Sequence, residues 1–304
     1  MSDTDQPAGA KVPVTVCVVC RNEADKLEPC LRSVGWADEI LMLDLSSTDG
    51  SGAVAERFGA RVVAHEPVPM VEMVRNEVAA LASNDWILAL DPDERITPGL
   101  ASELARLAAR EDLSAIVIPR MNYDLGYPPS NPMHRHEGQL RMYRRSRVTW
   151  PVVPNALPSV PESELYRLPK VDELVMVHER SRTIPEVLER SVRYAPLEAQ
   201  AMLARGQVFS ARAMLRALLG VFYSQFVRGE ALKDGVPGLL RASLLVGFHF
   251  YNWAAFWQAS GARRTAEDDR FLARLNTALQ GGRRVLSTGR AGVRLLRRLV
   301  GAKG

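Results

Sequence analysis

The sequence has only three cysteines in 304 residues. That is too few for a disulfide framework and points to a reducing compartment. The opening MSDTDQPAGAKVP lacks the apolar stretch of a signal peptide, so no leader is expected. No apolar run is long enough to cross a bilayer comfortably. Leu239–Trp257 comes nearest, and Arg241, His249 and Asn252 interrupt it. There is no internal repeat, no G-x-S-x-G nucleophile elbow and no Walker motif. Acids are absent from Gly281–Gly304, which carries seven Lys/Arg residues. Setting that segment aside leaves 32 basic residues against 35 acidic ones, a body of net charge −3. Such a body is not a nucleic-acid-binding surface, and no nucleic-acid partner is expected.

What is present is an ordinary globular composition, 47% hydrophobic and 24% charged, enough for one large domain or two smaller ones around a real core. Residues 1–11 read as a disordered lead. Over 12–120 hydrophobic strands alternate with helical patterns. Strands are expected at Val12–Cys20, Glu39–Leu45, Arg61–Ala64, Trp86–Leu90 and Ala115–Pro119. Helices are expected at Ala24–Val34, Ser51–Phe58, Met70–Ala82 and from Pro98 to Arg110, the last capped by Thr97. The alternation predicts an α/β fold, a mostly parallel Rossmann-like sheet with helices on both faces. Residues 121–180 are loop-rich, with short strands at Gln139–Arg144 and Glu173–His178. Residues 181–280 are helical in pattern, and 281–304 form a basic tail.

In such sheets ligands sit beyond the carboxyl ends of the strands. Three polar clusters fall there: Cys20-Arg21-Asn22-Glu23, Asp44-Leu45-Ser46-Ser47-Thr48-Asp49-Gly50 and Asp91-Pro92-Asp93-Glu94. One acid after a strand is commonly a helix cap. Three clusters on successive strands indicate a site. Asp91 and Asp93, one residue apart after WILAL, can both approach Mg²⁺ or Mn²⁺ and leave positions free for phosphate oxygens.

These residues carry a resemblance. Val12–Val62, from VPVTVCVVCRNEADKLEPC through LDLSSTDGSGAVAERFGARV, followed by RNEVAALASNDWILALDPDERITPGL, resembles the family 2 glycosyltransferases of GT-A fold. The branch it is most similar to is that of lipopolysaccharide-core β-glucosyltransferases. The resemblance continues through VIPRMNYDLG, QLRMYRR, RYAPLEA and FVRGEALKDGVPGLL. It implies that 12–120 is a nucleotide-sugar-binding core and 121–180 an acceptor-side extension. Arg21, Asn22, Glu23 and Asp44 would line the nucleotide pocket, with Asp44 near the base and Arg75 by the nucleotide or its diphosphate. Asp91 would sit by the ribose and cation, and Asp93 would be the main metal ligand. The implied activity is metal-dependent, inverting transfer from a nucleotide-sugar donor to a lipid-linked or lipopolysaccharide-type acceptor, in cell-envelope glycan synthesis.

One departure concerns the base. Relatives carry a Val-His-Glu-type motif after the segment matching MYRRSRVTW, whereas this chain reads PVVPNALP, without an acid. Two carboxylates remain as candidates. Glu137 aligns with an acid of relatives four residues before Arg141, and Glu179 lies in Val177-His178-Glu179 further down the chain. A membrane-associated pseudoenzyme or scaffold without a base is the alternative reading.

Rival motifs fall short. Gly50-x-Gly52-x-x-Ala55 is separated from its strand by Ser46–Asp49, against a dinucleotide fold. Cys17 and Cys20 fall on opposite faces of a strand, against zinc. Residues 222–257 hold nine of the twenty aromatics, so a helix there either packs within the protein or lies in a membrane interface. A helix over Arg283–Val300 would segregate its arginines from Val285, Leu286, Val293 and Leu296. That separation suits an anionic membrane surface, and the chain is expected at the inner face of the cytoplasmic membrane as a peripheral protein.

Overall fold

The computed structural model describes residues 11–131, 135–152 and 156–288. The chain divides into two compact units, Met1–Arg182 and Thr183–Gly304.

The first unit is built on one mixed sheet of nine strands. Strands β1 (Val12–Cys20), β2 (Ala37–Asp44), β3 (Arg61–Ala64) and β4 (Trp86–Leu90) lie parallel in the order β3-β2-β1-β4. Strand β7 (Glu137–Arg144) runs antiparallel against β4, and β6 (Ala115–Asp124) antiparallel against β7. Beyond β6 lies β9 (Met176–Ser181), and β5 (Glu94–Ile96) closes the far edge against β9; β8 (Leu165–Arg167) also pairs with β6. The helices are α1 (Ala24–Arg32), α2 (Ser51–Arg57), α3 (Arg75–Leu81) and α4 (Pro98–Ala108). The mostly parallel α/β arrangement expected of a GT-A domain is therefore present.

Alternate residues of the central strands feed two separate cores, because a strand's side chains point to opposite faces. Val14, Val16 and Val18 of β1, Met42 of β2 and Leu88 of β4 pack in one core, with Leu27, Leu31 and Leu104 from α1 and α4. Cys17, Leu41, Leu43, Ile87 and Val78 pack in the other. With both faces covered, the strands read as continuous apolar runs, which is why the sequence located them. Cys17 and Cys20 fall in opposite cores as free, buried thiols. Burial pushes Cys17 up to about 12 and Cys20 to about 11.

Several details differ from the sequence reading, among them the strand expected at Glu173–His178, which is a 3₁₀ turn at Asp172–Leu174 followed by β9. The helix expected over Met70–Ala82 is a 3₁₀ turn at Val71–Met73 followed by α3, so Arg75 begins a helix rather than sitting within one. Pro67 and Pro69 hold the approach extended, and β-branched Val71 and Val74 favour helix weakly. Strands β5 and β8, three residues each, are too short to leave a periodic signal.

The second unit is helical: α5 (Ile184–Ala204), α6 (Ala211–Phe222), a π-helical turn (Tyr223–Arg228), a 3₁₀ turn (Ala231–Asp234), α7 (Gly235–Ala259) and α8 (Ala266–Thr288). Thr183 and Ser210 cap α5 and α6 through their side chains, accepting from Glu186 N–H and Ala213 N–H. The start of α7 passes so near Ala231 that a Cβ at Gly238 would lie 1.9 Å from its carbonyl oxygen, so only glycine fits. Phe256 of α7 is fully buried against Phe209 and Trp253, while Phe250, Tyr251 and Trp257 remain exposed. Among the described residues no helix is long and apolar enough to cross a membrane. The disordered-lead expectation falls on residues 1–10 and the basic-tail expectation largely on 289–304. Both lie outside the described residues.

Candidate functional site

The carboxyl ends of β2, β1 and β4 form one row, continued by the amino-terminal part of antiparallel β7, and the expected polar clusters stand along it. At the β1 end, Asn22 takes a left-handed backbone (φ +56°), which turns the chain toward the β2 loop. Its N–H donates to Ser47 Oγ (3.0 Å), and its Oδ1 accepts from the Thr48 N–H (2.7 Å). Asp44 Oδ1 accepts the Ser47 N–H (3.0 Å). Asp49 accepts from Ser51 N–H and hydroxyl and from Ala24 N–H, so it ties the two loops together. Arg21 is exposed, and Glu23 is half-buried with Lys26 at 3.6 Å. Burial raises the Glu23 carboxyl, Lys26 opposes this, and the nearby charges of Asp93 and Asp91 add to the rise.

At the end of β4 the chain turns through Asp91-Pro92-Asp93, closed by Glu94 N–H on Asp91 O (2.9 Å) and Asp91 N–H on Glu94 Oε2 (3.0 Å). Glu94 is fully buried, and a buried carboxylate needs a partner. Arg141 supplies it from β7: one guanidinium nitrogen lies 2.6 Å from Glu94 Oε1 and 2.6 Å from Asp91 Oδ2. Arg120 of β6 adds a longer contact to Glu94 (3.4 Å). Burial alone would lift the Asp91 carboxyl; Arg141, then Arg75 and His178, outweigh it and hold Asp91 down. Burial and the Asp91 charge push Glu94 the other way. Asp91 and Glu94 thus share Arg141 with their carboxyls shifted in opposite directions.

Arg75 reaches the same place from α3. Its guanidinium stacks 4.2 Å from the Trp150 ring centroid, and Trp150 in turn meets Tyr143 edge-on at 5.7 Å. Asn76 fixes Trp150 by a reciprocal pair of hydrogen bonds with its backbone, at 2.8 and 3.0 Å. Nε of Arg75, Nε of Arg141 and the hydroxyl of Tyr143 are buried without a hydrogen-bond partner among the described residues. Orphaned buried donors are costly, and here they cluster beside Asp91, where a ligand oxygen would satisfy them.

The antiparallel pairing of β5 with β9 sets Glu94 opposite His178, and Glu179 N–H donates to Asp93 O (2.9 Å). His178 Nε2 consequently lies 3.3 Å from Asp93 Oδ2. Among the described residues no group of three or more His, Cys, Asp or Glu side chains could hold a metal. Asp93 and His178 make a pair, which suits a divalent cation that keeps its other positions for phosphate oxygens and water. An imidazole nitrogen and a carboxylate oxygen facing each other are a chemically fitting donor set.

The two carboxylates considered as bases lie in different surroundings. Glu137 of β7 is opposite Arg120 in register and accepts from it at 2.7 Å and from Asn122 at 3.2 Å. Asn122 also meets His178 Nδ1 at 2.6 Å, so Glu137 shares a network with His178 and Asp93. Glu179, the strand neighbour of His178, is held instead by Arg95 and by Arg182 at 2.8 Å. In both cases burial raises the carboxyl, but the bonded arginines more than offset it and hold it low.

The structure thus gathers Glu23, Arg75, Asp91 and Asp93 about the end of β4 and places Asp44 at the end of β2 and Asn22 in the loop after β1. Sequence reasoning gave no role to Arg141, Glu94, His178, Asn122 or Trp150. Arg141 had a legible signal, an arginine inside the alternately apolar strand Leu140–Tyr143, which needs a buried acid. The others depend on strand pairings between distant segments.

Residues 15–159 match the family model described as "Glycosyl transferase family 2". A TPR repeat-containing protein of Synechococcus elongatus is 32% identical over 127 residues, 41% of this chain and 32% of that protein. An uncharacterized glycosyltransferase of Rickettsia felis is 27% identical, over 43% of this chain and 44% of that one. The chain therefore matches between about a third and just under half of the length of these two relatives. The lipopolysaccharide core biosynthesis glycosyltransferase LpsC of Rhizobium meliloti is 23% identical over 85% of this chain and 97% of its own. Among solved structures, a mannosyltransferase from Pyrobaculum calidifontis in complex with GDP-Man and Mn²⁺ aligns over 99% of this chain and 91% of that chain. Its identity is 16% and its TM-score 0.42. The family match thus covers residues 15–159, the stretch that carries most of the sheet and all of the strand-end clusters.

Proposed function

We propose that the protein is an inverting, metal-dependent glycosyltransferase that moves a sugar from a nucleotide-sugar donor to a lipid-linked or lipopolysaccharide-type acceptor. The observation that carries the reading is the Asp93–His178 pair beside the Asp91–Arg141 pair, at the strand ends of a family 2 domain. The name of the rhizobial relative, which spans nearly its whole length, supports the acceptor class.

Asp44 and the Asn22 loop bind the nucleoside, Asp91 accepts from a ribose hydroxyl, and Arg75 with Arg141 faces the diphosphate. Asp93 and His178 would hold Mg²⁺ or Mn²⁺, which when bound neutralises charge on the departing diphosphate. The acceptor hydroxyl oxygen attacks the anomeric carbon opposite the diphosphate, the carbon–oxygen bond to the diphosphate breaks, and the configuration inverts. The hydroxyl proton passes to Glu137, which faces the same network as His178. A membrane-peripheral location, with residues 281–304 on anionic lipid at the inner face, completes the reading. Loss of Gly281–Gly304 should lower the fraction that sediments with anionic vesicles.

The second reading, a catalytically silent nucleotide-binding scaffold, draws on the arginine pairing of both candidate bases, which weakens each as a proton acceptor. Asp93→Ala decides on the metal: transfer should be lost, and unchanged turnover would refute the metal role. Calorimetry with UDP or GDP and Mn²⁺, followed by a transfer assay, separates enzyme from scaffold. Binding without turnover over a panel of nucleotide sugars and acceptors favours the scaffold.

A further inference from the structure

The side-chain amide of Asn122 stands between the base and the cation pair. Its Oδ1 is 2.6 Å from His178 Nδ1 and its Nδ2 is 3.2 Å from Glu137 Oε2. The strand register explains this. Arg120 is opposite Glu137 across β6–β7, and Asn122 is opposite His178 across β6–β9, so all four share one face.

Chemistry then sets the direction of each hydrogen bond from Glu137 to His178. An ionised carboxylate only accepts hydrogen bonds, and Arg120 at 2.7 Å favours the ionised form of Glu137. The amide must therefore turn its NH₂ to Glu137, which leaves its oxygen for the histidine. An amide oxygen also only accepts, so Nδ1 of His178 carries the hydrogen. In a neutral imidazole the lone pair then sits on Nε2, 3.3 Å from Asp93 Oδ2. Two lone-pair donors at that spacing repel unless a cation or a proton lies between them. The opposite amide orientation would set an oxygen against the Glu137 carboxylate.

We infer that Asn122 is a positioning residue that passes the charge of Glu137 to the tautomer of His178, so that one amide sets both the proton acceptor and the cation ligand. This rests on the reading of Asp93 and His178 as the cation pair. Second-sphere partners of metal-binding histidines act in this way, orienting the ring and fixing which nitrogen is free. Here the partner is an amide whose own orientation is dictated from its far side.

The test uses the full chain with Mn²⁺ alone as probe, free Mn²⁺ followed by electron paramagnetic resonance, and ¹⁵N ring shifts of His178 assigned with His178→Gln. Asn122→Leu should weaken Mn²⁺ about 10–100-fold and give a mixture of ring tautomers. Glu137→Gln should also weaken Mn²⁺, by a smaller factor, although residue 137 does not touch the cation pair. Its amide no longer dictates which way Asn122 faces. A purely structural role for Asn122 would shift the melting temperature and leave the tautomer unmixed, and that result overturns the inference. So does unchanged Mn²⁺ affinity in Asn122→Leu while Asp93→Ala loses it, a result that leaves the cation site standing. If Asp93→Ala and His178→Ala both bind Mn²⁺ like the parent, the cation site itself is wrong. Should Asn122→Leu fail to fold, the tautomer of His178 in Glu137→Gln decides alone.

Discussion

At the ends of β1 and β2, polar side chains close on backbone N–H groups of their own loop or of the neighbouring one. Asp44 holds Ser47, Asn22 holds Thr48, and Asp49 holds Ser51 and Ala24. At the end of β4 they close on one another instead. Asp91 and Glu94 share Arg141, Asp93 faces His178, and Asn122 joins His178 to Glu137 across separations of 15 to 85 residues. The first region is a pair of loops whose polar side chains are satisfied by backbone N–H groups. The second is a charged network in which each member is needed to justify the burial of the next. One region holds a shape, and the other holds charges out of water, so damage to the two should differ in size and in kind.

The largest difference is expected at Arg141. Replacing it by Leu strands the fully buried Glu94 and the adjacent Asp91, and breaking a buried ion pair in this way costs about 3–5 kcal/mol. Urea unfolding should show that loss, and Arg141→Leu combined with Glu94→Leu should recover part of it, because the fully buried Glu94 is then gone and only the partly exposed Asp91 has lost its partner. A double variant as unstable as the single one would show that packing, not charge, ties β7 to the β4 turn.

Next comes a separation of ligands. Asp93→Asn should weaken Mn²⁺ at least about tenfold while leaving metal-free nucleoside diphosphate binding intact. Asp44→Asn should do the reverse, losing a charge-assisted hydrogen bond worth about 1.5–3 kcal/mol to the nucleotide and sparing Mn²⁺. Titration calorimetry with each ligand alone reads both. Equal effects of both variants on both ligands would merge the two regions into one.

The same contrast explains what the sequence made legible. Strands buried on both faces leave continuous apolar runs, and their polar ends are read directly, so the parallel sheet, Asp44, Asp91 and Asp93 were all in view. The helix start at Arg75 was blurred because Val71 and Val74 continue the apolar spacing through a 3₁₀ turn. His178 and Asn122 were out of reach for a different reason. The role of His178 follows from β5, a three-residue strand, pairing with β9 about eighty residues on, and that of Asn122 from the pairings of β6 with β7 and β9. Periodicity within a window cannot register such a pairing. The arginine inside β7 was the one distant partner that chemistry alone could have flagged.

A smaller effect is expected at Asn22, where shape rather than charge is at stake. Asn22→Ala removes the acceptor for Thr48 N–H, about 1 kcal/mol, and puts a residue with no local compensation at φ +56°. Asn22→Gly loses the same acceptor but relieves the backbone, so it should be about 1–2 kcal/mol more stable than the alanine variant. Equal unfolding midpoints for the two would mean that the left-handed turn is not what the loop requires.

The smallest effect lies at the opposite end of β4, where Asp85 precedes the strand and has no part in the site. Burial lifts its carboxyl, but the Ser146 N–H (3.0 Å) and the Arg144 guanidinium (3.1 Å) more than offset that and hold it below its ordinary 3.8. A carboxyl held lower in the folded chain than in the unfolded one stabilises the fold above the unfolded value. That stabilisation disappears as pH falls through the folded one. Asp85→Asn should therefore lower the melting temperature slightly at pH 7, and the gap to the parent should close as the pH is taken below 3.8. Mn²⁺ and nucleotide affinity should not move, because Asp85 touches only the β7 turn. Asp85 and Asp91 are carboxylates at the two ends of one strand, each paired with an arginine of β7. A change in ligand affinity on losing Asp85 would show that this arginine-bearing strand transmits strain along its length, and that the charged region is larger than the β4 turn.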